Sequence, residues 1–461
     1  MNKTENCFEN LTIEKVHKFY KEKIFSCTQL TKYYLEKLKK DNKCLITIND
    51  KALQTAKIVD EKLEKNIPLS VLEGIPYILK DNIITKGLKT TCASKILKDY
   101  IPRFDSFVNK IITKQNGILL GKANLDEFAM GSTCENSSFF ITPNPLNPKN
   151  ICGGSSGGCA YALAKDYCVF ALGSDTGGSA RLPAALCNVY GFKPTYGTIS
   201  RYGLTEYASS FDQIAPMAKC QEDCLTVFLQ ISKKDINDET CVGYKTKIIN
   251  QKSFKIAIPK NYKKYCEKQV VDSFQKKVDA LKTVENIFIN YIDFDYFDEM
   301  LKTYYIVSFA QSYSNLSRYK SFLKDKQKNI YYDFNGEYLN DREIGFGSEV
   351  KQRIKNGSEI LNKENYKSRY IKETEIIDIL KLKTKKIFKE YDFLITPTAP
   401  KAAIKINYMT NSSAKQLDIF TVFANLTEIP ALSIPLNNSV AMQIMAEKMS
   451  DEKIFNFIQN V

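Results

Sequence analysis

Two glycine-rich turns, each containing serine, are the stretches of this sequence best suited to form a catalytic site. The first reads Gly-Gly-Ser-Ser-Gly-Gly from Gly153 to Gly158, and the second reads Ser-Asp-Thr-Gly-Gly-Ser from Ser174 to Ser179. Glycine has no side chain and adopts positive φ readily, so the backbone of such a turn can approach a ligand closely. Because a short apolar segment separates the two turns, they could bring two serine hydroxyls and several N–H groups to one point.

A lysine upstream could supply the base that a nucleophilic serine needs. Lys80 follows an apolar run at residues 75–79 that is typical of a buried strand. The only histidine, His17, is expected on the surface of an N-terminal helix, far along the chain from both turns, so a Ser-His-Asp arrangement is not expected. We therefore predict that Lys80, Ser155 and Ser179 form one catalytic group, in which lysine replaces histidine as the base.

This assignment requires that the lysine be neutral near pH 7. A free lysine has a pKa of about 10.4, and burial lowers that pKa because the charged form loses its hydration. A fall of about three pKa units disfavours the charged form by roughly 4 kcal/mol, which a lysine on a buried strand can sustain. A structural or exposed lysine stays an alternative for Lys80. A phosphate-binding loop stays an alternative for the turns, although neither has the Gly-Lys-Ser/Thr ending of a P-loop.

The second turn is also suited to hold a developing negative charge. Successive N–H groups at the start of a helix, unobstructed by side chains, form a nest for an anion. The turn from Thr176 to Ser179 has this character, with glycine at both central positions. Such a nest stabilises the oxyanion that forms when a serine attacks an amide.

Length and composition limit the kind of protein that this chain can be. With 461 residues, 44% of them hydrophobic, the chain could form one large α/β domain or two to three smaller ones. Because no internal repeat or long linker divides it, we predict a single domain over residues 1–461. It contains no signal-peptide pattern and no apolar run long enough to cross a bilayer. We therefore expect a soluble cytoplasmic protein with no membrane partner.

Cysteine usage and charge narrow the possible ligands. The thirteen cysteines are scattered without any Cys-x-x-Cys pair, which is typical of reduced thiols and lacks the spacing of a zinc site. We therefore predict no metal site. The net charge is +14, but the lysines are dispersed rather than concentrated in one patch. This charge could help to attract an RNA-bearing partner, whereas direct reading of a nucleic-acid sequence is not indicated.

Alternating strands and helices are predicted to position the candidate residues. Ser26 and Gln29 have the capping-box pattern at the start of an N-terminal helix. Strands are predicted at residues 75–79, 117–121, 167–172, 255–259, 284–289, 393–397 and 431–435. Helices are predicted at residues 51–65, 107–115, 180–189 and 418–427, with turns between 193 and 216 and a mostly helical layer at about 296–389. This alternation favours a sheet covered by helices on both faces.

Both turns resemble the signature of the amidase signature family. The likeness is carried by Gly153-Gly-Ser-Ser-Gly-Gly and by Ser174-Asp-Thr-Gly-Gly-Ser-Ala-Arg. It extends over nearly the whole chain and is most specific in the core at about 70–220. The resemblance implies the α/β amidase-signature fold, with a large mixed β-sheet covered by helices on both faces.

The same resemblance implies a role for each member of the catalytic group. Lys80 would deprotonate Ser155, which lies in a cis peptide in this family, and Ser155 would relay the proton from the nucleophile Ser179. The oxyanion hole would be formed by the N–H groups of the second turn, namely those of Thr176, Gly177, Gly178 and Ser179.

Further segments resemble the A subunits of glutamyl-tRNA(Gln) amidotransferases, a branch of this family. These segments lie at residues 121–132, 193–214, 304–318, 346–354 and 418–426. The branch implies a glutaminase that passes ammonia to a partner subunit, which uses ATP to amidate tRNA-bound glutamate. The implied partners are subunits B and C of a heterotrimer, glutamine, and the misacylated Glu-tRNA(Gln) that the complex binds. No cofactor is implied for this chain, since ATP and Mg²⁺ belong to the partner subunit.

Recognition of free glutamine requires opposite charges at two points, because its α-carbon carries both a carboxylate and an ammonium group. Arg353 would hold the carboxylate through a bidentate fork, and Asp418 would hold the ammonium. Both residues match positions of glutamine recognition in the family. The resemblance completes the predicted substrate-binding set with Met130, Gly131, Tyr304 and Tyr305.

Three functions stay open on the sequence alone. The first is a glutaminase subunit of a tRNA-dependent amidotransferase that works through an acyl-enzyme on Ser179, and it is the one that we favour. The second is a stand-alone amidase of the same fold that acts on another amide. The third is a non-enzymatic assembly subunit, against which the intact lysine and serines argue.

Overall fold

An eleven-stranded sheet organises the part of the chain described by the computed structural model, which comprises residues 6–246, 251–319, 341–402 and 404–460. The strands are β1 (Leu45–Ile48), β2 (Pro76–Lys80), β3 (Ile118–Ala123), β4 (Phe170–Asp175), β5 (Tyr190–Lys193), β6 (Gln213–Ala218), β7 (Phe254–Pro259), β8 (Ile287–Ile292), β9 (Phe393–Pro397), β10 (Ala431–Asn437) and β11 (Val440–Met445). Their spatial order is β1-β3-β2-β4-β6-β5-β10-β11-β9-β7-β8.

The sheet is mixed and is covered on both faces. Strand β2 pairs in parallel with β3 and β4, strand β7 pairs in parallel with β8 and β9, and the remaining neighbours are antiparallel. Every residue of β2, β4, β6, β9 and β11 is buried. Since successive side chains of a strand point to opposite faces, complete burial requires a layer on each side. The predicted α/β fold class is confirmed.

Helices form these layers in the described ranges. They are α1 (Ile13–Lys21), α2 (Cys27–Lys40), α3 (Ala52–Glu64), α4 (Phe107–Lys114), α5 (Gly157–Ala164), α6 (Arg181–Cys187), α7 (Gln221–Ile231), α8 (Lys268–Lys282), α9 (Phe297–Leu316), α10 (Ser348–Leu361), α11 (Lys372–Glu390), α12 (Asn411–Ala414), α13 (Val422–Leu426) and α14 (Asp451–Gln459). No helix in those ranges combines the length and the apolar character needed to cross a membrane.

All seven predicted strands occur, each displaced by no more than a few residues, but four strands were not predicted. These are β1, β5, β6 and β11. Strand β6 begins inside the region predicted as turns, so that prediction is wrong for residues 213–216. The reason is Pro216, which has no N–H to donate and normally argues against a central strand. Here β6 nevertheless pairs with β4 on one side and β5 on the other.

The N-terminal helices match their prediction except at His17. The capping box of Ser26 and Gln29 forms at the start of α2. His17 was expected on the surface, but it is half-buried, with its Nε2 atom 2.9 Å from the carbonyl oxygen of Glu73. The predicted layer at 296–389 is helical in its described parts, and residues 320–340 lie outside them.

The pairing of β2 with β4 positions the candidate residues. The two strands run in parallel, with Tyr77 opposite Phe170 and Leu79 opposite Leu172. Their carboxyl ends therefore meet at the same edge of the sheet. Lys80 is the last residue of β2, and the second glycine-rich turn leaves the end of β4. The first turn leads into α5, which packs against both strands.

Candidate active site

Lys80 is buried and contacts two serines. Its side chain has no exposed surface, and Nζ donates to Oγ of Ser155 at 2.7 Å and to Oγ of Ser174 at 2.8 Å. Burial lowers the pKa of Lys80 to about 8, although the more distant charge of Asp126 opposes that shift. Lys80 makes no ion pair with any carboxylate in the described ranges. It therefore has a neutral fraction near pH 7 that an ordinary lysine lacks.

The first glycine-rich turn holds Ser155 against this lysine. The peptide bond between Gly154 and Ser155 is cis, and Ser155 is fully buried. A side chain at Gly154 would not fit, because a Cβ atom there would collide with the carboxylate of Asp126 and lie 2.7 Å from the backbone nitrogen of Cys134. The N–H of Gly154 donates to the carbonyl of Ser132 at 2.9 Å. The structure thus brings Lys80 and Ser155 together.

Ser179 lies in the second turn, directly beside the first. The N–H of Ser156 donates to the carbonyl of Ser179 at 2.9 Å, which joins the two turns. Ser179 keeps 8% of its surface exposed whereas Ser155 has none, so Ser179 is the serine that a substrate can reach. The two hydroxyls do not hydrogen-bond each other within the described part of the chain. The proton relay between them stays a prediction.

The predicted oxyanion hole needs one correction. The N–H of Gly178 is already occupied, because it donates to Oδ1 of Asp175 at 3.0 Å. The N–H groups of Gly177 and Ser179 donate to no acceptor in the described ranges. Thr176 is held by its own hydroxyl, which donates to Asp212 at 2.7 Å. The N–H of Thr176 likewise donates to no acceptor in those ranges, so Thr176, Gly177 and Ser179 stay candidate donors and Gly178 is not available.

A buried ion pair holds the second turn in shape. Burial alone would raise the pKa of Asp175, but the Arg181 guanidinium holds it well below its usual range. Arg181 donates to both oxygens of Asp175, at 3.0 Å and 2.9 Å. The remaining donors of Arg181 reach the C-terminal part of the fold, where the acceptors are the carbonyl of Thr421 and the side chains of Asn425 and Gln443. Neither residue of this pair was predicted to matter, although both lie within the second motif.

Asp418 lies close to the Ser179 turn. It accepts hydrogen bonds from Ser132 at 2.8 Å and from Tyr305 at 2.6 Å. Burial raises the pKa of Asp418 to about 7, while those two hydrogen bonds favour the charged form. Three residues later, the hydroxyl of Thr421 donates to the carbonyl of Gly177 at 2.6 Å. The residue predicted to bind an ammonium group thus lies on a segment attached to the turn that carries Ser179.

Arg353 lies among aromatic rings near Asp418. It is buried on α10, where Nε donates to Glu349 at 2.7 Å and Nη1 donates to the hydroxyl of Tyr207 at 2.5 Å. Its guanidinium carbon is 5.8 Å from the ring centre of Tyr305, the residue that holds Asp418. No residue in the described ranges accepts from Nη2, so one end of the guanidinium fork is free for a ligand.

The four other predicted substrate residues also lie in this region. A Cβ at Gly177 would collide with the ring of Tyr304, so this ring covers the turn that carries Ser179. Met130 and Gly131 are the two residues before Ser132, whose hydroxyl reaches Asp418. Met130 is fully buried, and Gly131 packs against Asp126. Their roles in binding stay predictions.

Three further contact residues were missed from the sequence. Ser174 accepts from Lys80 and also from Nδ2 of Asn82 at 3.0 Å. Glu349 is four positions before Arg353 on α10, a spacing that could have indicated the ion pair. Tyr207 gave no such signal, since it lies more than a hundred positions from Arg353 and only the fold brings the two together.

The described residues include no cluster of three or more histidine, cysteine or carboxylate side chains arranged to hold a metal ion. The arrangement instead offers a buried lysine, two serines and unoccupied N–H groups. Such a set is suited to acyl transfer, in which a serine attacks a carbonyl carbon and an amide leaving group departs.

Comparison with known proteins agrees with this geometry. The sequence profile of the amidase family, described as Amidase, matches residues 29–455. This chain belongs to the amidase family. Among its relatives, the A subunit of glutamyl-tRNA(Gln) amidotransferase from Thermoanaerobacter pseudethanolicus is 40% identical over 97% of this chain and 95% of its own. The protein of the same name from Sulfurisphaera tokodaii is 40% identical over 90% of this chain and 89% of its own.

A solved structure of this family extends the likeness to three dimensions. The crystal structure of the A subunit of glutamyl-tRNA(Gln) amidotransferase from Thermotoga maritima superposes with a TM-score of 0.79 at 33% identity. The match covers 97% of this chain and 93% of that one. This chain and that protein therefore share one fold along nearly the whole length of both.

Proposed function

We propose that this chain is the glutaminase subunit of a tRNA-dependent amidotransferase. It hydrolyses glutamine to glutamate and ammonia and supplies the ammonia for conversion of Glu-tRNA(Gln) to Gln-tRNA(Gln). The observation that carries the proposal is the contact between Nζ of Lys80 and Oγ of Ser155 at 2.7 Å, beside the turn that carries Ser179. Relatives named as A subunits of that enzyme match almost end to end, which supports this function over a stand-alone amidase.

The proposed reaction begins with two proton transfers. Neutral Lys80 takes the proton of Ser155, and Ser155 takes the proton of Ser179 as its oxygen attacks the amide carbon of glutamine. The carbonyl oxygen becomes negative and accepts hydrogen bonds from the candidate N–H donors of Thr176, Gly177 and Ser179. Collapse of this intermediate breaks the C–N bond, and the relayed proton returns to the departing nitrogen as ammonia leaves. Water then cleaves the γ-glutamyl ester on Ser179 and releases glutamate.

Partners complete the reaction. We propose that the chain works in a heterotrimer with subunits B and C, and that ATP and Mg²⁺ are bound by the partner that amidates the misacylated tRNA. The sequence of this chain contains no nucleotide-binding motif that would place the ATP step here. This role also makes the cytoplasm the expected location, since translation supplies the tRNA.

The acyl-enzyme is the intermediate that tests this function. After addition of glutamine to the complex and rapid acid quenching, we expect intact-mass and peptide spectra to show a γ-glutamyl group on the peptide that contains Ser179. The Ser179→Ala variant should show no such group and no release of ammonia. Absence of the adduct from the parent chain in every assembly state would favour a non-enzymatic assembly subunit.

The Arg353→Ala variant tests whether this side chain recognises the carboxylate of glutamine. Because the guanidinium is expected to hold the substrate carboxylate with charge-assisted hydrogen bonds, its loss should lower kcat/KM for glutamine by about a hundredfold. Hydrolysis of γ-aminobutyramide, which is glutamine without the carboxylate, should change by less than about threefold. A thermal melt of the variant would show whether it is folded. An equal loss for both amides would favour a stand-alone amidase with another substrate.

A further inference from the structure

Lys415 adds a second cation beside Arg353. It lies three residues before Asp418 and is half-buried. Its Nζ atom is 5.3 Å from the ring centre of Tyr305 and 4.8 Å from that of Phe309. The guanidinium carbon of Arg353 lies 5.8 Å and 5.6 Å from the same two ring centres. Two cations therefore share one pair of aromatic rings.

The charge of Arg353 is already balanced by the protein. Its Nε donates to Glu349 at 2.7 Å, and both side chains are about 5% exposed. The net charge of this pair is therefore close to zero. Lys415, in contrast, forms no ion pair and no hydrogen bond with any residue in the described ranges. Lys415 thus supplies the excess positive charge beside the rings of Tyr305 and Phe309. A half-buried ammonium group without a carboxylate partner is typical of an anion-binding site.

Tyr305 separates the two charged ends of the cluster. Its hydroxyl donates to Asp418, whereas its ring faces Arg353 and Lys415. A ligand lying along this ring would meet a carboxylate at one end and an excess positive charge at the other. Free glutamine has the matching pair of groups on its α-carbon.

We propose that Lys415 is a specificity-determining residue that selects a substrate with a free carboxylate. Arg353 supplies the directed hydrogen bonds from its free Nη2, and Lys415 supplies the net charge. The inference rests on the proposed glutaminase function, because it takes the carboxylate to be that of glutamine. Burial and the neighbouring Arg353 lower the pKa of Lys415 while Glu349 opposes that shift, and an arriving carboxylate would further favour its charged form.

Kinetics of Lys415→Gln in the full chain, with its copurifying partners, test the proposal. We expect KM for glutamine to rise about tenfold and kcat to stay within about twofold, since the lysine contacts the ground state and the transition state alike. KM for γ-aminobutyramide should stay within about twofold. Lys415→Arg should restore most of the affinity for glutamine. Lys276→Gln on α8, an exposed lysine with the same change in net charge, should leave both substrates unaffected.

The outcomes distinguish this inference from the function on which it rests. If the parent chain does not hydrolyse glutamine, the proposed function fails and the inference fails with it. If the parent hydrolyses glutamine but Lys415→Gln leaves its KM within twofold, only the inference is overturned. Equal increases in KM for both amides would also overturn it, because a general distortion of the pocket would not discriminate by the carboxylate.

Discussion

Lys80→Met is expected to lower kcat for glutamine hydrolysis by at least about a thousandfold while leaving the chain as stable as the parent. General bases of this kind contribute about 10²–10⁴ in rate, and no other base lies within contact of Ser155 in the described ranges. The expected stability is less usual, since most buried substitutions destabilise. It follows from the environment of the lysine, which has serines but no carboxylate within contact.

The stability of the variant follows from the pKa of Lys80. Its folded pKa of about 8 lies below the ordinary 10.5, so below pH 8 the folded state bears a cost of about 3 kcal/mol for keeping the charge buried. Between pH 8 and 10.5 this cost declines, because the unfolded chain still binds the proton and the folded chain does not. Methionine removes the cost, and the lost hydrogen bonds to Ser155 and Ser174 offset that gain by about 1–3 kcal/mol.

Lys122→Met is the matched control for stability. Lys122 is also fully buried, but its Nζ lies 3.4 Å from Oδ1 of Asp81, with which it forms an ion pair. Removing it leaves a buried carboxylate uncompensated, so we expect a loss of about 3–5 kcal/mol in the free energy of unfolding. Equal losses in the two variants would contradict the idea that Lys80 is held at an energetic cost.

The pH profile of the parent provides a second measurement. If neutral Lys80 is the base, kcat/KM should rise with pH and level off above about pH 8, because only the deprotonated amine can accept the proton of Ser155. At pH 7 roughly a tenth of the molecules would carry the neutral amine. A profile that is flat from pH 6 to 9 would contradict this assignment of the base.

How far the sequence predicts the site depends on how each contact is made. The meeting of Lys80 with the serine turns was predictable, because strand ends and glycine-rich turns have local signals and parallel strands bring their ends to one edge. The loss of Gly178 as an oxyanion donor was not predictable, since it depends on the orientation of the Asp175 carboxylate. Tyr207 likewise contacts Arg353 only through the tertiary fold.

The fold shows the same division. Strands with continuous apolar runs were found, whereas β6 was missed because Pro216 obscures a central strand. His17 was misplaced because half-burial against the carbonyl of Glu73 depends on how α1 packs, which helical periodicity does not determine. Local sequence patterns therefore predicted the strands and helices better than the contacts between them.

Arg181→Met should lower the free energy of unfolding by about 3–5 kcal/mol, because it breaks a buried ion pair. The guanidinium is fully buried and is the partner that keeps Asp175 charged inside the fold. Without it, the Asp175 carboxylate is left without a counter-charge and its pKa should rise. The difference in the free energy of unfolding between parent and variant should therefore become smaller as the pH is lowered towards the new pKa. Urea unfolding at several pH values would measure it.

The same substitution should also impair catalysis, because Asp175 positions the turn that carries Ser179 by accepting hydrogen bonds from the N–H groups of Gly178 and Ala180. We expect kcat to fall at least tenfold at temperatures where the variant is still folded. The double variant Asp175→Asn with Arg181→Met is the informative comparison. It removes both charges and keeps a side-chain oxygen that can accept from the turn, so it should regain stability relative to Arg181→Met alone. If the double variant is no more stable than the single one, the loss of stability comes from the changed packing and not from the unpaired charge.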